Sequence, residues 1–216
     1  ATRDRAEVIA AEVFAAGAGA VLLGLWLAAL VVAFAWLGSR GLFDPDEGRY
    51  THVALTMLDA GNWVEPRRSE DTGHWTKPPL TYWAIAASVA TFGRNEWAVR
   101  LPMALAYLAC IGLCWGSARR LAPGREGLAA LAYMTMLMPF LAAQLVTTDY
   151  LLSAFQALGM FAWIQGRFRN NGAGHWPWLM WAAFALAFMT KGPPALLPLL
   201  VIAVFGWLAP SPQPRM

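Results

Sequence analysis

Cysteine and histidine are scarce in this chain of 216 residues, which holds two of the former and three of the latter. Two cysteines cannot build the disulfide framework of a small secreted domain. Cys110 and Cys114, four apart inside an apolar stretch, read as small hydrophobes on one helix face, with a disulfide or metal pair as the alternative. His52, His74 and His175 fall at no spacing that gathers a zinc site. Neither common glycine-rich nucleotide loop occurs, which argues against a cytosolic nucleotide donor. Charge is low as well: Asp, Glu, Lys and Arg make up 13% of the chain while hydrophobic residues make up 58%. That balance excludes an ordinary water-soluble domain. The net charge of +3 is spread over the ends of apolar segments instead of massed on one face, so nucleic acid is not an expected partner.

Long uncharged runs are what the chain does have. Stretches long enough to cross a bilayer run over 17–37, 101–118, 127–148, 150–166, 176–190 and 193–208. A further apolar stretch, 79–93, opens on two prolines and is too short, so it is read as a helix lying in the membrane interface. The expected fold is therefore all-α: a polytopic helical membrane protein of about six transmembrane helices in one domain. Residues 1–16 form a cytoplasmic tail, 38–100 a long extracytoplasmic first loop carrying interfacial amphipathic helices, and 101–208 the transmembrane bundle. The first apolar segment lacks a signal-peptide cleavage pattern and is read as an anchor. With six spans, Arg3, Arg5, Arg119, Arg120, Arg125, Arg167, Arg169 and Arg215 all fall on the cytoplasmic side, as the positive-inside rule requires. Counting 79–93 as a span would move Arg119, Arg120 and Arg125 outside. The six-span map brings Asp46, Lys77, Asp149 and Lys191 to one outer face.

Ionisable groups beside hydrocarbon are costly and point to chemistry or a charged ligand. Asp44-Pro45-Asp46-Glu47 also reads as a helix start, with Asp44 as N-cap, Pro45 at the first helical position and Glu47 three residues after the cap. Tyr50, Val53, Ala54, Met57 and Leu58 then share one face, Gly61 stops the helix, and the whole suits a helix lying on a membrane. Asp46 is either a dipole-favoured acid of the first turn or a functional carboxylate. Asp149 is the sole charge between Glu126 and Arg167; its alternatives are a solvated cap and a site acid. Lys191 is a snorkelling lysine or a site cation. Arg49, Lys77 and Lys191 together could hold an anionic head such as phosphate. The segment 94–100 reads as an interfacial connection with an aromatic anchor and no assigned chemistry.

Asp46-Glu47-Gly48-Arg49-Tyr50, Lys77-Pro78-Pro79-Leu80-Thr81-Tyr82-Trp83, Phe92-Gly93-Arg94-Asn95-Glu96, Arg100-Leu101-Pro102, Thr148-Asp149 and Lys191-Gly192-Pro193, in that order, resemble the polyprenyl-phosphate-dependent membrane glycosyltransferases of GT-C type. The resemblance is to the lipid A aminoarabinose transferase branch, which is similar to the protein O-mannosyltransferases, and it covers about residues 17–208. It implies interfacial helices over a membrane cavity and transfer of a sugar from a polyprenyl-phosphate donor to a lipid A-like, glycan or protein acceptor, with inversion. The site would face outward from the plasma (inner) membrane, on the periplasmic side. Carried onto matching positions, Asp46 is the catalytic carboxylate with Glu47 beside it, and Asp149 is the second acid of the cavity. Arg49 and Lys77 hold the donor phosphate, Tyr50 and Tyr82 line the substrate site, and Lys191 gives phosphate or structural support. No cofactor is implied with certainty. A divalent cation is left open, although Thr76, standing where the family commonly has an acid, weakens a metal held at that position. The chain is shorter than the family's enzymes, so the acceptor-binding half is expected to be missing; a subunit that binds the donor without turnover is the alternative reading. A small transporter has little support, because the charges gather at one interface instead of near the midplane.

Overall fold

The computed structural model describes residues 19–69, 71–169 and 174–209. It is mostly helical, in the order α1 (described over Gly19–Phe34), α2 (Asp46–Ala60), β1 (Arg67–Ser69), β2 (Thr72–Gly73), α3 (Leu80–Phe92), α4 (Glu96–Leu121), α5 (Glu126–Thr135), α6 (Leu137–Ala143), α7 (Thr148–Arg167), α8 (Trp176–Lys191) and α9 (Leu197–Leu208). A 3-10 turn, Pro193–Leu196, leads into α9. The strands form a small antiparallel hairpin within the mostly helical chain that the sequence predicts. The predicted tail 1–16, and with it Arg3, Arg5 and Arg215, lies outside the described residues.

Helices stand at all six predicted spans, but among the described residues α4 alone is long and apolar enough to cross a membrane. The stretch 127–148 is not one continuous helix: α5 and α6 are bent by 64° at Met136, whose backbone is extended, the geometry of a broken span or a re-entrant loop. Pro139 supplies the reason. In a continuous helix its ring would meet the carbonyl of Thr135, whereas within the first turn of a new helix its missing N–H costs nothing. The 13 residues of α3 reach only about 20 Å, short of the ~30 Å hydrocarbon core.

The α4 helix is the mast of the structure, packing on α3, α5 and α7, while α7 packs on α8. Asn95 caps it, its side chain accepting from the N–H of Ala98 at 2.8 Å. Pro102 lies inside α4 and leaves the carbonyl of Ala98 without its helical donor; Ser88 of α3 donates its hydroxyl there at 2.5 Å. A helix defect thus becomes the stitch between α3 and α4.

Gly61 ends α2 in the left-handed region, as predicted. The start differs from expectation. Helix α2 begins at Asp46 with Pro45 as N-cap and no side-chain cap. Glu47 does not close a capping box on Asp44; its carboxylate accepts from the N–H of Phe43 and is otherwise held by two arginines. The apolar face of α2 is also redirected. Tyr50, Val53, Ala54 and Met57 are buried in the core with Tyr82, Ile85 and Met103, and Leu58 is half-buried, so protein rather than lipid receives that face. By contrast α9 buries no residue, and Leu200, Val201, Val204 and Trp207 lie exposed along it.

Helices α7 and α8 approach closely at Gly159, where an added Cβ would sit 2.9 Å from the Phe184 ring. Phe184 is itself buried and has nowhere to swing. Gly159→Ala is expected to cost about 1–3 kcal/mol and to lower the thermal midpoint of the detergent-solubilised protein by several degrees. An unchanged midpoint would show that the two helices are not in this register.

Candidate active site and its buried clamp

The N-terminal turn of α2 is tied to the rest of the protein through Glu47, which is 1% exposed. Its two oxygens accept five hydrogen bonds. Oε1 takes Arg100 Nε at 3.0 Å and the Val146 N–H at 3.0 Å. Oε2 takes Arg100 Nη2 at 3.0 Å, Arg40 Nη1 at 2.6 Å and the Phe43 N–H at 2.9 Å. Arg100, equally buried, also donates to the carbonyls of Leu37 (2.6 Å), Arg40 (3.0 Å) and Gly41 (2.8 Å). Arg40 reaches on to the Gln144 carbonyl at 2.7 Å. Burial alone would push the Glu47 carboxyl up. The bonds from Arg100 and Arg40, then from Phe43 and Val146, outweigh it and lower the carboxyl to about 2.

This clamp joins three distant segments: the end of the first apolar stretch, the head of α4 and the approach to α7. It therefore places Asp46, next to Glu47, on the same framework as Asp149, three residues beyond Val146. Glu47, expected as a catalytic residue beside Asp46, has every acceptor position on its carboxylate engaged and none facing solvent. Arg100 and Arg40 were missed by reasoning from sequence. The available signal was a lone arginine heading the uncharged run 101–118, where a charge at that depth needs a partner.

Asp46 is more than half exposed and forms an ion pair with Arg49. Asp149 at the start of α7 is ion-paired with Lys191 at the end of α8, so the two predicted outer junctions do meet. Lys77, half-buried, has no hydrogen-bond or ion-pair partner among the described residues. Tyr50 and Tyr82 are buried with ring centroids 6.0 Å apart, and the Arg49 guanidinium lies 5.2 Å from the Tyr50 ring centre. Both tyrosines thus form the floor beneath Arg49, and Tyr82 Oη has no partner among the described residues. Burial, above all, pushes the Tyr82 hydroxyl far up, so it stays protonated and can only donate or accept as a neutral group.

Beside them the β-hairpin rests on α2. His52 Nε2 bonds to the Arg68 carbonyl at 2.7 Å, and Arg68 Nε donates to His74 Nδ1 at 3.0 Å. His74 is buried, its edge against Tyr82 with centroids 5.7 Å apart, and its Nε2 lies 2.9 Å from Thr76 Oγ1. Burial, then the charges of Arg68 and Arg49, lower its basicity, so the ring is neutral, with Nδ1 accepting and Nε2 carrying the proton toward Thr76. A cavity of about 410 Å³ opens here, lined by Asp44, Pro45, Gly48, Arg49, His52 and Arg68. Among the described residues no three His, Cys, Asp or Glu side chains are grouped to hold a metal ion.

Residues 76–215 match the family described as dolichyl-phosphate-mannose-protein mannosyltransferase. The chain is 36% identical over 186 residues to the undecaprenyl phosphate-alpha-4-amino-4-deoxy-L-arabinose arabinosyl transferase 2 of Pseudomonas fluorescens, covering 84% of this chain and 33% of that protein. It is 31% identical over 190 residues to the corresponding transferase 2 of Proteus mirabilis, covering 85% and 34%. Among solved structures it resembles ArnT from Cupriavidus metallidurans in the apo state, with a TM-score of 0.83, 32% identity, and coverage of 89% of this chain and 36% of that one. The same protein bound to undecaprenyl phosphate gives a TM-score of 0.80 at 29% identity, covering 87% and 35%. The chain spans about a third of the length of the curated relatives it matches.

Proposed function

The chain belongs to the dolichyl-phosphate-mannose-protein mannosyltransferase family, and on that premise we propose that it carries the donor site of a membrane glycosyltransferase using a polyprenyl-phosphate sugar. The observation that supports this reading is the Glu47 clamp, which ties the turn carrying Asp46, paired with Arg49, to the approach to α7, where Asp149 is paired with Lys191. Support for the lipid donor comes from a structural neighbour whose bound molecule is undecaprenyl phosphate.

In this reading an acceptor hydroxyl attacks the anomeric carbon of the donor sugar, opposite the phosphate, and the anomeric centre inverts. The carbon–oxygen bond to phosphate breaks, and the hydroxyl proton passes to Asp46. Arg49 and Lys77 neutralise the charge gathering on the departing lipid phosphate. Glu47 contributes as a positioning residue. Asp149, ion-paired with Lys191, serves as the second acid of the site, and Tyr50 with Tyr82 floors it. The acceptor is a lipid A-like molecule, a glycan or a protein.

The topology proposed with it is six spans, with the tail 1–16 cytoplasmic, the site within 38–100 on the periplasmic face of the inner membrane, and the bundle within 101–208. The sparse charge and the exposed apolar length of α9 support a lipid-facing bundle. A second reading is a subunit that binds the donor without turnover.

The donor site is tested by titrating detergent-solubilised native protein with undecaprenyl phosphate. Lys77→Ala is expected to weaken binding about tenfold or more, the effect of losing one charged hydrogen bond to phosphate. Unaltered affinity would remove Lys77 from the donor site. Consumption of a polyprenyl-phosphate sugar with appearance of a modified acceptor, followed by mass spectrometry of membranes, separates transferase from binding subunit.

A further inference from the structure

We propose that the cavity between the first turns of α2 and the β-hairpin binds a phosphate-class oxyanion, with Arg68 as the residue that reaches for it. Nothing in the transfer chemistry above uses Arg68, His52 or His74, yet the three are assembled with care.

Arg68 is exposed, but its backbone and its Nε are both held. Its carbonyl is held by His52 Nε2 at 2.7 Å and its Nε–H by His74 Nδ1 at 3.0 Å. The imidazole that fixes it is buried, backed by Thr76 and packed on Tyr82. The bond to His74 uses only Nε and leaves both terminal nitrogens, the fork that grips an oxyanion bidentately, without a partner among the described residues. Across the same cavity Arg49 keeps its Nε–H buried and without an acceptor among the described residues. A buried donor with no acceptor is uncommon and calls for a missing partner. One tetrahedral anion could serve both arginines. His52, the third nitrogen-bearing wall residue, adds a polar edge, and Asp44 is the one carboxylate of the lining, set against two guanidinium groups.

Two sources can present such a group: the phosphate of the polyprenyl donor and a phosphate on the acceptor. The inference rests on the transferase reading only for that source, since the geometry asks for the anion alone. A calorimetric titration of native protein in detergent separates the cases, using undecaprenyl phosphate and, with undecaprenyl phosphate already saturating, inorganic phosphate. Arg68→Ala is expected to weaken one of these by about tenfold or more, with Arg68→Lys between it and wild type, because lysine keeps the charge but loses the fork and the bond to His74. Loss against undecaprenyl phosphate assigns the cavity to the donor, and loss against inorganic phosphate assigns it to a second, acceptor-borne anion. Arg67→Ala, which removes the same charge from a neighbour already paired with Glu65, is expected to change neither. If Arg68→Ala leaves both affinities intact, or does no more than Arg67→Ala, the proposal is overturned. Wild-type protein that ignores undecaprenyl phosphate altogether would strike the transferase reading instead.

Discussion

Replacing Asp46 by asparagine is expected to lower sugar transfer by about 10²–10⁴-fold while leaving undecaprenyl phosphate binding within a few-fold of wild type. The substitution keeps the shape and removes only the ability to take a proton. Stability should hardly move, because Asp46 is more than half exposed and its pairing with Arg49 is a surface ion pair within one helix turn. The separation of turnover from both binding and stability is the point of the measurement. It is read as donor consumption and product formation by mass spectrometry, beside a thermal melt of the same preparation. Full transfer by Asp46→Asn would remove the carboxylate from the chemistry, and loss of activity with loss of the melt would demote it to a structural acid.

Glu47→Gln should behave in the opposite way, losing the fold first. Arg100 is 1% exposed, and Glu47 is the carboxylate opposite it; neutralising that partner leaves a guanidinium charge stranded in the core. Breaking a buried pair from one side costs about 3–5 kcal/mol. Arg100→Met should cost less through charge, since Glu47 keeps Arg40 and the N–H groups of Phe43 and Val146, but it also orphans the carbonyls of Leu37 and Gly41. The double replacement should therefore be less damaging than the sum of the two. A melt of the four proteins checks this, and strictly additive losses would mean that the pair is not coupled.

The pH dependence follows from the same clamp. The Glu47 carboxyl sits at about 2 in the folded protein against an ordinary 4.5. Its contribution is complete above about pH 4.5 and is lost as pH falls toward 2, about 3 kcal/mol in all, with no change from this group between pH 5 and 8. Glu47→Gln should flatten that acid limb.

Much of the molecule is legible without coordinates because the bilayer permits few solutions. Uncharged runs of the right length, punctuated by prolines, mark where helices stand, and α2 ends at Gly61 because a left-handed turn favours glycine. The break of the fifth and sixth helices was equally visible in Pro139, yet mean hydropathy over the window concealed it. The meeting of Asp149 with Lys191 followed from topology alone, since both were assigned to the ends of adjacent helices on one side.

The sequence by itself determined the class of molecule, the positions of its helices and the list of ionisable groups to be explained, because composition and periodicity answer to solvent and need no partner. What only the tertiary structure decided is which of those groups spend their charge inside. Glu47 and Asp46 are neighbours with the same chemistry, yet one is buried among five donors and the other lies open beside Arg49. That division is set by Arg40, seven residues away, and by Arg100 and Val146, 53 and 99 residues away; an arginine heading an uncharged run signals that a partner is needed, but nothing local in the chain says which.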